Sequence, residues 1–237
     1  MSRKKDIDLD LTGFAELFMN DEGRAESRLP RIYDIPLSEI DDFPNHPFKV
    51  KMDEDMNQLV QSVKERGVIT PITLRQKEDG RYEIVSGHRR RKACELAGLE
   101  RVPAEIKELS RDEAIILMVE SNLQRSIILP SEKAFSYKMR LEAMKRQGQR
   151  TDLTSTPLGQ KLGKYSVEVL GEQVGESKSQ IQRYIRLTEL IPEILEMVDD
   201  KKISMRPAVE LSYLPKEEQE ILYDTMESEA CTPSHAQ

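Results

Sequence analysis

Residues 68–98, VITPITLRQKEDGRYEIVSGHRRRKACELAG, predict two strands followed directly by a helix. VITPITLRQ and RYEIVSG are rich in β-branched residues, and the KEDGR segment between them contains an Asp-Gly pair typical of a hairpin turn. A helix is predicted from His88 to Ala97, where Gly98 ends it. Since the second strand is predicted to end at Val85, the next two residues must turn the chain into that helix.

The turn at Ser86 and Gly87 is a candidate anion site. The first N–H groups of a helix have no partner within the helix and attract anions, and a glycine lets the backbone approach an anion closely. Successive helical residues diverge by about 100°, so we expect two of the three arginines at 89–91 to reach the anion and another to face solvent. A basic helix face without a ligand is the alternative. The predicted buried side of this helix consists of Ala93, Leu96 and Ala97.

A second stretch, SVEVLGEQVGESKSQIQRYIRLTEL at 166–190, predicts a helix-turn-helix. Helices that cross closely need a small residue in the first helix and a glycine in the turn, and Gly171, Gly175 and Ile181 have this spacing. Ser177 and Gln180 match a capping box that would start the second helix. An ordinary helical hairpin with a polar face is the alternative. The outward positions carry residue types that bind base edges and phosphates, namely Lys178, Ser179, Gln180, Gln182, Arg183 and Arg186.

The rest of the pattern predicts where the fold changes class. Strands are predicted at 32–37 and 102–106 and helices at 56–66 and 111–124, whereas from residue 130 the apolar periodicity is entirely helical. A helix is predicted from 130 to Gly148, a loop over 149–165, and helices at 166–175, 177–190, about 192–200, 205–213 and 215–228. The predicted fold is an α+β domain, a small mixed sheet with helices, followed by an all-α helix-turn-helix domain. The predicted segments are a flexible arm at 1–30, the α+β domain at 31–128, the helical domain at 129–228, and the truncated start of a further segment at 229–237.

Composition limits the possible classes of protein. No run approaches the roughly 18 apolar residues of a membrane helix, and MSRKKDIDLDL has no apolar segment typical of a secretory signal. The two cysteines and three histidines form no metal or disulfide pattern, so we expect a reducing cytoplasm. The net charge is −7, but residues 131–214 carry 14 basic and 12 acidic residues between acidic flanks. Any contact with DNA is therefore expected to be local.

Two motifs in these segments resemble the signatures of ParB-type partition proteins. GHRRRKA at residues 87–93 is similar to the family's Gly-Glu-Arg-Arg-x-Arg-Ala, and SNLQR at 121–125 is similar to its Glu-Asn-[Ile/Leu]-Gln-Arg. The predicted helix-turn-helix follows both motifs, in the family's order. The resemblance covers about residues 32–214.

The resemblance implies a domain that binds CTP with Mg²⁺ and a nucleotide-gated clamp on DNA. It places Mg²⁺ near Asn122, with Glu120 as the neighbouring carboxylate. Ser121 stands where the family has a glutamate, and Phe48 where an arginine is usual. Because a hydroxyl is a poor substitute for a carboxylate as a ligand of a hard cation, these departures favour nucleotide binding over hydrolysis. The residues implied to bind the nucleotide are Thr70, Ser86, Gly87, His88, Arg89, Arg90, Asn122, Gln124 and Arg125.

The resemblance further implies a sequence-specific DNA-binding protein of plasmid or chromosome partition, nucleoid-associated in the cytoplasm, that loads at a centromere-like site. Its implied partners are double-stranded DNA, a ParA-type Walker ATPase bound through the N-terminal arm, and a second copy, in a homodimer that needs a C-terminal domain absent from these residues. No membrane partner is expected. One alternative is a related transcription regulator or nucleoid-occlusion factor. Another is an enzyme that uses the ParB/sulfiredoxin-like fold, for which Cys94, on a predicted buried face, offers little support.

Overall fold

A computed structural model describes residues 31–125, 127–151 and 159–229, with side chains described at 31–125, 127–147 and 167–229. The predicted arm at 1–30 lies outside the described residues, as does nearly all of the predicted segment at 229–237. The predicted fold class is confirmed: a mixed sheet with helices is followed by a region whose described residues form helices and their connecting turns.

Five strands form one mixed sheet. They are β1 (Ile32–Pro36), β2 (Ile40–Asp41), β3 (Ile72–Gln76), β4 (Tyr82–Ser86) and β5 (Arg101–Lys107). Their order across the sheet is β1-β5-β3-β4-β2. The pairs β1–β5 and β3–β4 are antiparallel, whereas β3–β5 and β2–β4 are parallel. The predicted strand at 68–76 begins only at Ile72, because Pro71 has no N–H to contribute to a ladder.

Three helices complete the α+β part: α1 (Glu54–Arg66), α2 (His88–Ala97) and α3 (Arg111–Leu123). The carboxylate of Asp53 accepts a hydrogen bond from the Met56 N–H at 3.0 Å, so α1 begins two residues earlier than predicted. Ser110 and Glu113 form a complete capping box at the start of α3. In each case a side chain satisfies N–H groups that the helix leaves unpaired.

The buried side of α2 differs from the prediction at one residue. Ala93 and Cys94 are fully buried against the sheet, whereas Leu96 is 43% exposed. On a helix with 100° between residues, positions 93, 94 and 97 form one continuous face, and position 96 points about 60° beyond its edge. The prediction for Leu96 was therefore wrong, and Cys94 takes the buried position.

Six α-helices lie in the described residues from 127 onward. They are α4 (Pro130–Thr151), α5 (Gly159–Val174), α6 (Lys178–Arg186), α7 (Pro192–Asp199), α8 (Met205–Leu211) and α9 (Lys216–Glu229). The predicted helix end at Gly148 was too early, because α4 continues to Thr151. The predicted loop over 149–165 was too long, because α5 already begins at Gly159. A glycine within a helix costs only about 1 kcal/mol relative to alanine and does not by itself end the helix. No described helix is both long and apolar enough to cross a membrane.

The α+β part and the helical part share a core. One apolar cluster combines Phe48 and Val85 from the α+β part with Met118 of α3 and with Met139 and Ala143 of α4. Ion pairs reinforce this contact: Asp112 of α3 accepts from Arg146 of α4 at 2.8 Å. The long helix α4 therefore packs directly on α3 and positions the helix-turn-helix relative to the sheet.

Candidate functional site

The turn from β4 into α2 leaves the N-terminus of α2 open. Gly87 has a φ of +101°, and an added Cβ would lie 2.7 Å from Ile72 Cγ2, so only glycine fits here. No side chain caps the helix at this end. The first N–H groups of α2 therefore keep the unpaired arrangement that binds anions.

The three arginines of α2 have three different protein partners. Arg90 donates to the carbonyls of Thr70 and Pro71, at 2.6 and 2.5 Å. Arg89 pairs with the Asp53 carboxylate at 3.2 Å. The expectation that one arginine faces solvent was wrong, because the side chain of the third, Arg91, is only 16% exposed. It pairs with the carboxylates of Asp42 and Glu95. Arg90 holds the Thr70 loop beside α2, which leaves Arg89 as the more adaptable cation.

Two stacked histidines lie beside this helix end. The rings of His88 and His46 have centroids 3.7 Å apart, and the Nε2 atom of each is buried without a hydrogen-bond partner among the described residues. Burial lowers the pKa of His88 to about 3, helped by His46, Arg91 and Arg125. Burial also lowers the pKa of His46. Both imidazoles are therefore neutral at pH 7 and carry one N–H each. That of His46 is donated to the Phe48 backbone carbonyl, whereas that of His88 has no partner among the described residues.

The arginine of the second motif joins this group. Arg125 lies over the ring of Phe48, with its Cζ 5.4 Å from the ring centroid. Burial lowers the pKa of Arg125, and the nearby Arg89 lowers it further. The structure thus brings Arg125, from the end of α3, to the start of α2, as the two motifs require if they form one site. Sequence reasoning missed His46. It lies two residues before Phe48, which stands where the family usually has an arginine.

The other residues of the second motif point elsewhere. The Asn122 side chain is buried and donates its Nδ2–H to the Met118 carbonyl at 2.8 Å. Ser121 Oγ donates to the same carbonyl at 2.9 Å. Glu120 pairs with Arg140 of α4, so its carboxylate faces the helical region. Within the described part of the chain, no group of three His, Cys, Asp or Glu side chains is arranged to hold a metal ion, and the residues near the α2 end do not fit the Mg²⁺ site that the resemblance implies.

A cavity of about 690 Å³ separates α3 from the helix-turn-helix. Gln124 is exposed and lines it together with Arg125, so the second motif borders both the α2 end and this cavity. The other polar residues of its wall come from α3 and α4, from α5 and the turn after it, and from the residues after α7; they are Glu120, Lys133, Tyr137, Arg140, Gln173, Glu176 and Lys201.

The helix-turn-helix geometry follows from its two glycines. A Cβ on Gly171 would lie 2.7 Å from the Glu176 carbonyl and 3.5 Å from Ile181 Cδ1, so α5 and α6 can cross this closely only with glycine. Gly175 has a φ of +70°, a conformation that glycine adopts without strain. Ser177 accepts from the Gln180 N–H at 3.3 Å, which is half of the predicted capping box. The reciprocal bond from the Gln180 side chain to Ser177 is not formed.

The outward residues of α6 divide into two groups. Ser179, Gln182 and Arg183 are exposed, and Arg183 makes no hydrogen bond or ion pair with any described residue. Lys178 pairs with Glu168 of α5 at 3.5 Å, and Gln180 is half-buried.

Arg186 is held by α8 and the residues that follow it. It donates to the Ser212 hydroxyl at 3.0 Å and to the Ser212 carbonyl at 2.6 Å. Its guanidinium also stacks 4.1 Å from the centroid of the Tyr213 ring. The Arg186 side chain therefore braces α6 against α8 instead of projecting with Arg183.

Cys94 has the environment of a structural thiol. Its side chain is fully buried, and burial raises its pKa. Reactive cysteines are partly exposed and have a lowered pKa. This environment argues against Cys94 as a catalytic nucleophile.

Comparison with known proteins agrees with this arrangement. Residues 21–123 match the ParB N-terminal domain, and residues 160–233 match the ParB HTH domain. The chain is 32% identical over 197 residues to the chromosome-partitioning protein Spo0J of Thermus thermophilus, covering 81% of this chain and 65% of that protein. It is also 32% identical to the nucleoid occlusion protein of Listeria innocua, over 83% of this chain and 63% of that protein. The chain thus spans somewhat less than two thirds of the length of these relatives.

A solved structure shares the fold. The Pnob8-like ParB-N domain, in its C2221 form, matches with a TM-score of 0.50 at 15% identity, covering 77% of this chain and 79% of that one. The two domain matches occur in the order that the two sequence motifs and the helix-turn-helix predict. This chain belongs to the ParB-type family, with a ParB N-terminal domain followed by a ParB HTH domain.

Proposed function

We propose that this chain is a sequence-specific DNA-binding protein of chromosome or plasmid partition that also binds CTP at the start of α2. The observation that carries the proposal is the exposed group Ser179, Gln182 and Arg183 on α6, presented by a helix crossing that the close contact at Gly171 fixes. The relationship to the partition protein Spo0J supports the biological role.

The DNA half of the proposal follows from the chemistry of α6. Recognition helices lie in the major groove, where arginine pairs with guanine and glutamine with adenine. Arg183 and Gln182 are the α6 residues free to do this. The net charge of residues 131–214 is only slightly positive, so one module supplies few phosphate contacts and a weak electrostatic attraction. A homodimer that binds two half-sites would supply the missing affinity.

The nucleotide half follows from the cation-rich end of α2. An open helix N-terminus, Arg89 and Arg125 converge there, and this combination suits the phosphates of a nucleotide. Thr70, held in place by Arg90, and Ser86 lie beside the same turn. The family resemblance supports CTP as the nucleotide. Hydrolysis is not part of the proposal, because Ser121 and Glu120 offer no carboxylate at this place.

The wider role extends both halves. CTP would gate a clamp that loads at a centromere-like DNA site and remains associated with the nucleoid. A ParA-type ATPase would bind the N-terminal arm at 1–30, and the arm lies outside the described residues.

Replacing Arg183 tests the DNA half. We expect Arg183→Ala to lose about 1–3 kcal/mol of discrimination between the correct site and a scrambled duplex. Fluorescence anisotropy with both duplexes at one salt concentration measures this difference. Arg66→Ala, at the end of α1, is the matched control because it removes an exposed arginine away from α6. Unchanged discrimination in Arg183→Ala would refute α6 as the reading helix.

Replacing Gly87 tests the nucleotide half. Gly87→Ala places a Cβ against Ile72, and we expect it to weaken CTP binding by at least tenfold because the turn that presents the helix end must shift. Gly80→Ala is the matched control, since Gly80 also has a positive φ of +82° but an added Cβ there meets nothing within 4 Å. Isothermal titration calorimetry with CTP, ATP and GTP measures affinity and selectivity. Equal CTP affinities of the two variants, or no heat with CTP on the native chain, would contradict the proposal.

A role in nucleoid occlusion is the second candidate, favoured by the 32% identity to the Listeria innocua protein. Deletion of the gene separates the two roles. Loss of partition yields cells without DNA, whereas loss of occlusion yields division septa across the nucleoid. Microscopy with a DNA stain and a membrane stain distinguishes these outcomes.

A further inference from the structure

We infer that this chain binds its triphosphate without a divalent cation, with the charge of the phosphates neutralised by protein groups alone. The inference rests on the proposed nucleotide binding at the start of α2. It depends on which oxygen atoms and which cations surround that helix end.

Glu120, next to the position of the family's metal-binding glutamate, already forms an ion pair. Glu120 pairs with Arg140, which is 2% exposed and also donates to Gln173 at 2.6 Å. Moving Glu120 to a metal would leave the Arg140 charge buried with only a neutral amide as its partner, a costly arrangement. Glu120 therefore belongs to the contact between the two regions of the chain.

The other carboxylates near the site also have partners. Both oxygens of Glu132 accept backbone hydrogen bonds, from the N–H of Lys49 at 2.9 Å and from that of Leu129 at 3.0 Å. Asp53 caps α1 and pairs with Arg89. Mg²⁺ in nucleotide sites is usually held by one or two carboxylates together with the phosphates. Glu132 uses both of its oxygens, whereas Asp53 uses only Oδ1 and its charge is already paired with Arg89.

The second motif supplies little in their place. Ser121, at the position of the family's glutamate, uses its hydroxyl to donate to the Met118 carbonyl, and Asn122 donates its amide N–H to the same atom. Of this motif, only the amide oxygen of Asn122 remains as a neutral candidate ligand. One neutral oxygen is a poor set of ligands for a hard dication.

Cations take the place that the metal would occupy. Arg89 lies close enough to Arg125 to lower its pKa, while the Glu132 carboxylate, which is held by two backbone N–H groups, raises it. Each guanidinium can bind a phosphate with two parallel hydrogen bonds. The open end of α2 and the N–H group of His88 add further donors. The two guanidinium groups and the helix end favour the phosphates, whereas position 121 offers no carboxylate that would bring a dication to them.

Calorimetry of the native chain with CTP tests the inference. We expect CTP to bind in EDTA with an affinity equal to or higher than that in excess Mg²⁺, because Mg²⁺ sequesters the free anion. Binding that requires Mg²⁺ would overturn the inference while supporting the proposed function. Absence of binding in both buffers would overturn the proposed nucleotide function itself, and the inference with it.

A variant at position 121 provides the converse test. Ser121→Glu restores the family's carboxylate, so we expect it to weaken CTP binding in EDTA by about tenfold through repulsion and to recover affinity when Mg²⁺ is added. Ser121→Gln, of similar size but without charge, is the matched control and should show no response to Mg²⁺. Circular dichroism spectra of both variants establish that they fold. If Ser121→Gln also gains affinity when Mg²⁺ is added, oxygens other than a carboxylate at position 121 hold the cation and the inference fails.

Discussion

His88, the first residue of α2, is the residue at which burial and charge conflict most. It stacks on His46, and Arg91 and Arg125 lie near enough to oppose its protonation. Burial lowers its pKa to about 3, compared with about 6.5 in an unfolded chain. The folded chain therefore requires a neutral imidazole at this position, and it keeps one N–H available at the helix end where we propose the phosphates bind.

This conflict predicts how stability depends on pH. Between about pH 6.5 and 3 the unfolded chain binds a proton at His88 that the folded chain does not. The neutral His88 therefore contributes fully to the free energy of unfolding above pH 6.5, and this contribution is lost as the pH falls. The free energy of unfolding should decrease by up to about 1.4 kcal/mol per pH unit from this group. Urea denaturation of the native chain and of His88→Gln between pH 7 and pH 4 measures the slope. Identical slopes for the two chains would show that His88 is not the cause.

At the scale of elements, α6 is positioned by its neighbours more than by its own sequence. Gly171 lets α5 approach it, Ile181 is buried between the helices, and Arg186 ties its last turn to Ser212 and Tyr213. The sequence pattern had grouped Arg186 with the outward residues that contact DNA. Its contacts instead predict a bracing role.

The salt dependence of DNA binding distinguishes these two roles. If Arg186 contacts a phosphate, Arg186→Gln should lower the slope of log K against log salt concentration by about 0.9. We expect instead an unchanged slope, together with a loss of about 1–2 kcal/mol in the free energy of unfolding, since a charged hydrogen bond to a buried group is removed. Ser212→Ala, which removes one partner but no charge, should show a smaller loss of stability and the same slope. A reduced slope in Arg186→Gln alone would contradict the bracing role.

At the scale of the whole molecule, the contact of α3 with α4 and α5 connects the α+β part to the helix-turn-helix. Arg140 is its buried centre, with Glu120 on one side and Gln173 on the other. Burial lowers the pKa of Arg140, and Glu120 opposes that shift. The two partners differ in exposure, because the Glu120 side chain is 45% exposed whereas that of Arg140 is 3% exposed.

This difference predicts unequal effects of removing each partner. Glu120→Ala leaves a buried charge without its counterion and should cost about 2 kcal/mol. Arg140→Met leaves a carboxylate that water can solvate and should cost only about 1 kcal/mol. In the double variant, the additional effect of Glu120→Ala should nearly disappear. Chemical denaturation of the four proteins completes the double-mutant cycle, and additive losses would show that the pair is not coupled.

Local patterns accounted for the elements and for most of the turns. The Asp-Gly hairpin, the glycine between β4 and α2, the alternation of strands and helices and the Gly171–Gly175 spacing each concern atoms within a few residues, where backbone sterics determine the result. The errors came where local preference was weak. Leu96, Gly148 and the loop at 149–165 were misjudged, because burial and helix length depend on packing partners as well as on local composition.

The sequence by itself determined the class of fold, the family and the two segments that carry the proposed chemistry, because each of these depends on short-range spacing. Only the tertiary structure decided the partners of the charged side chains. It directed Glu120 toward Arg140, Arg186 toward Ser212 and Arg125 toward the His46–His88 stack. Such contacts join residues far apart in the chain, and those of Arg140 and Arg186 arise from the cost of burying a charge without a partner. No periodicity in the sequence encodes that cost.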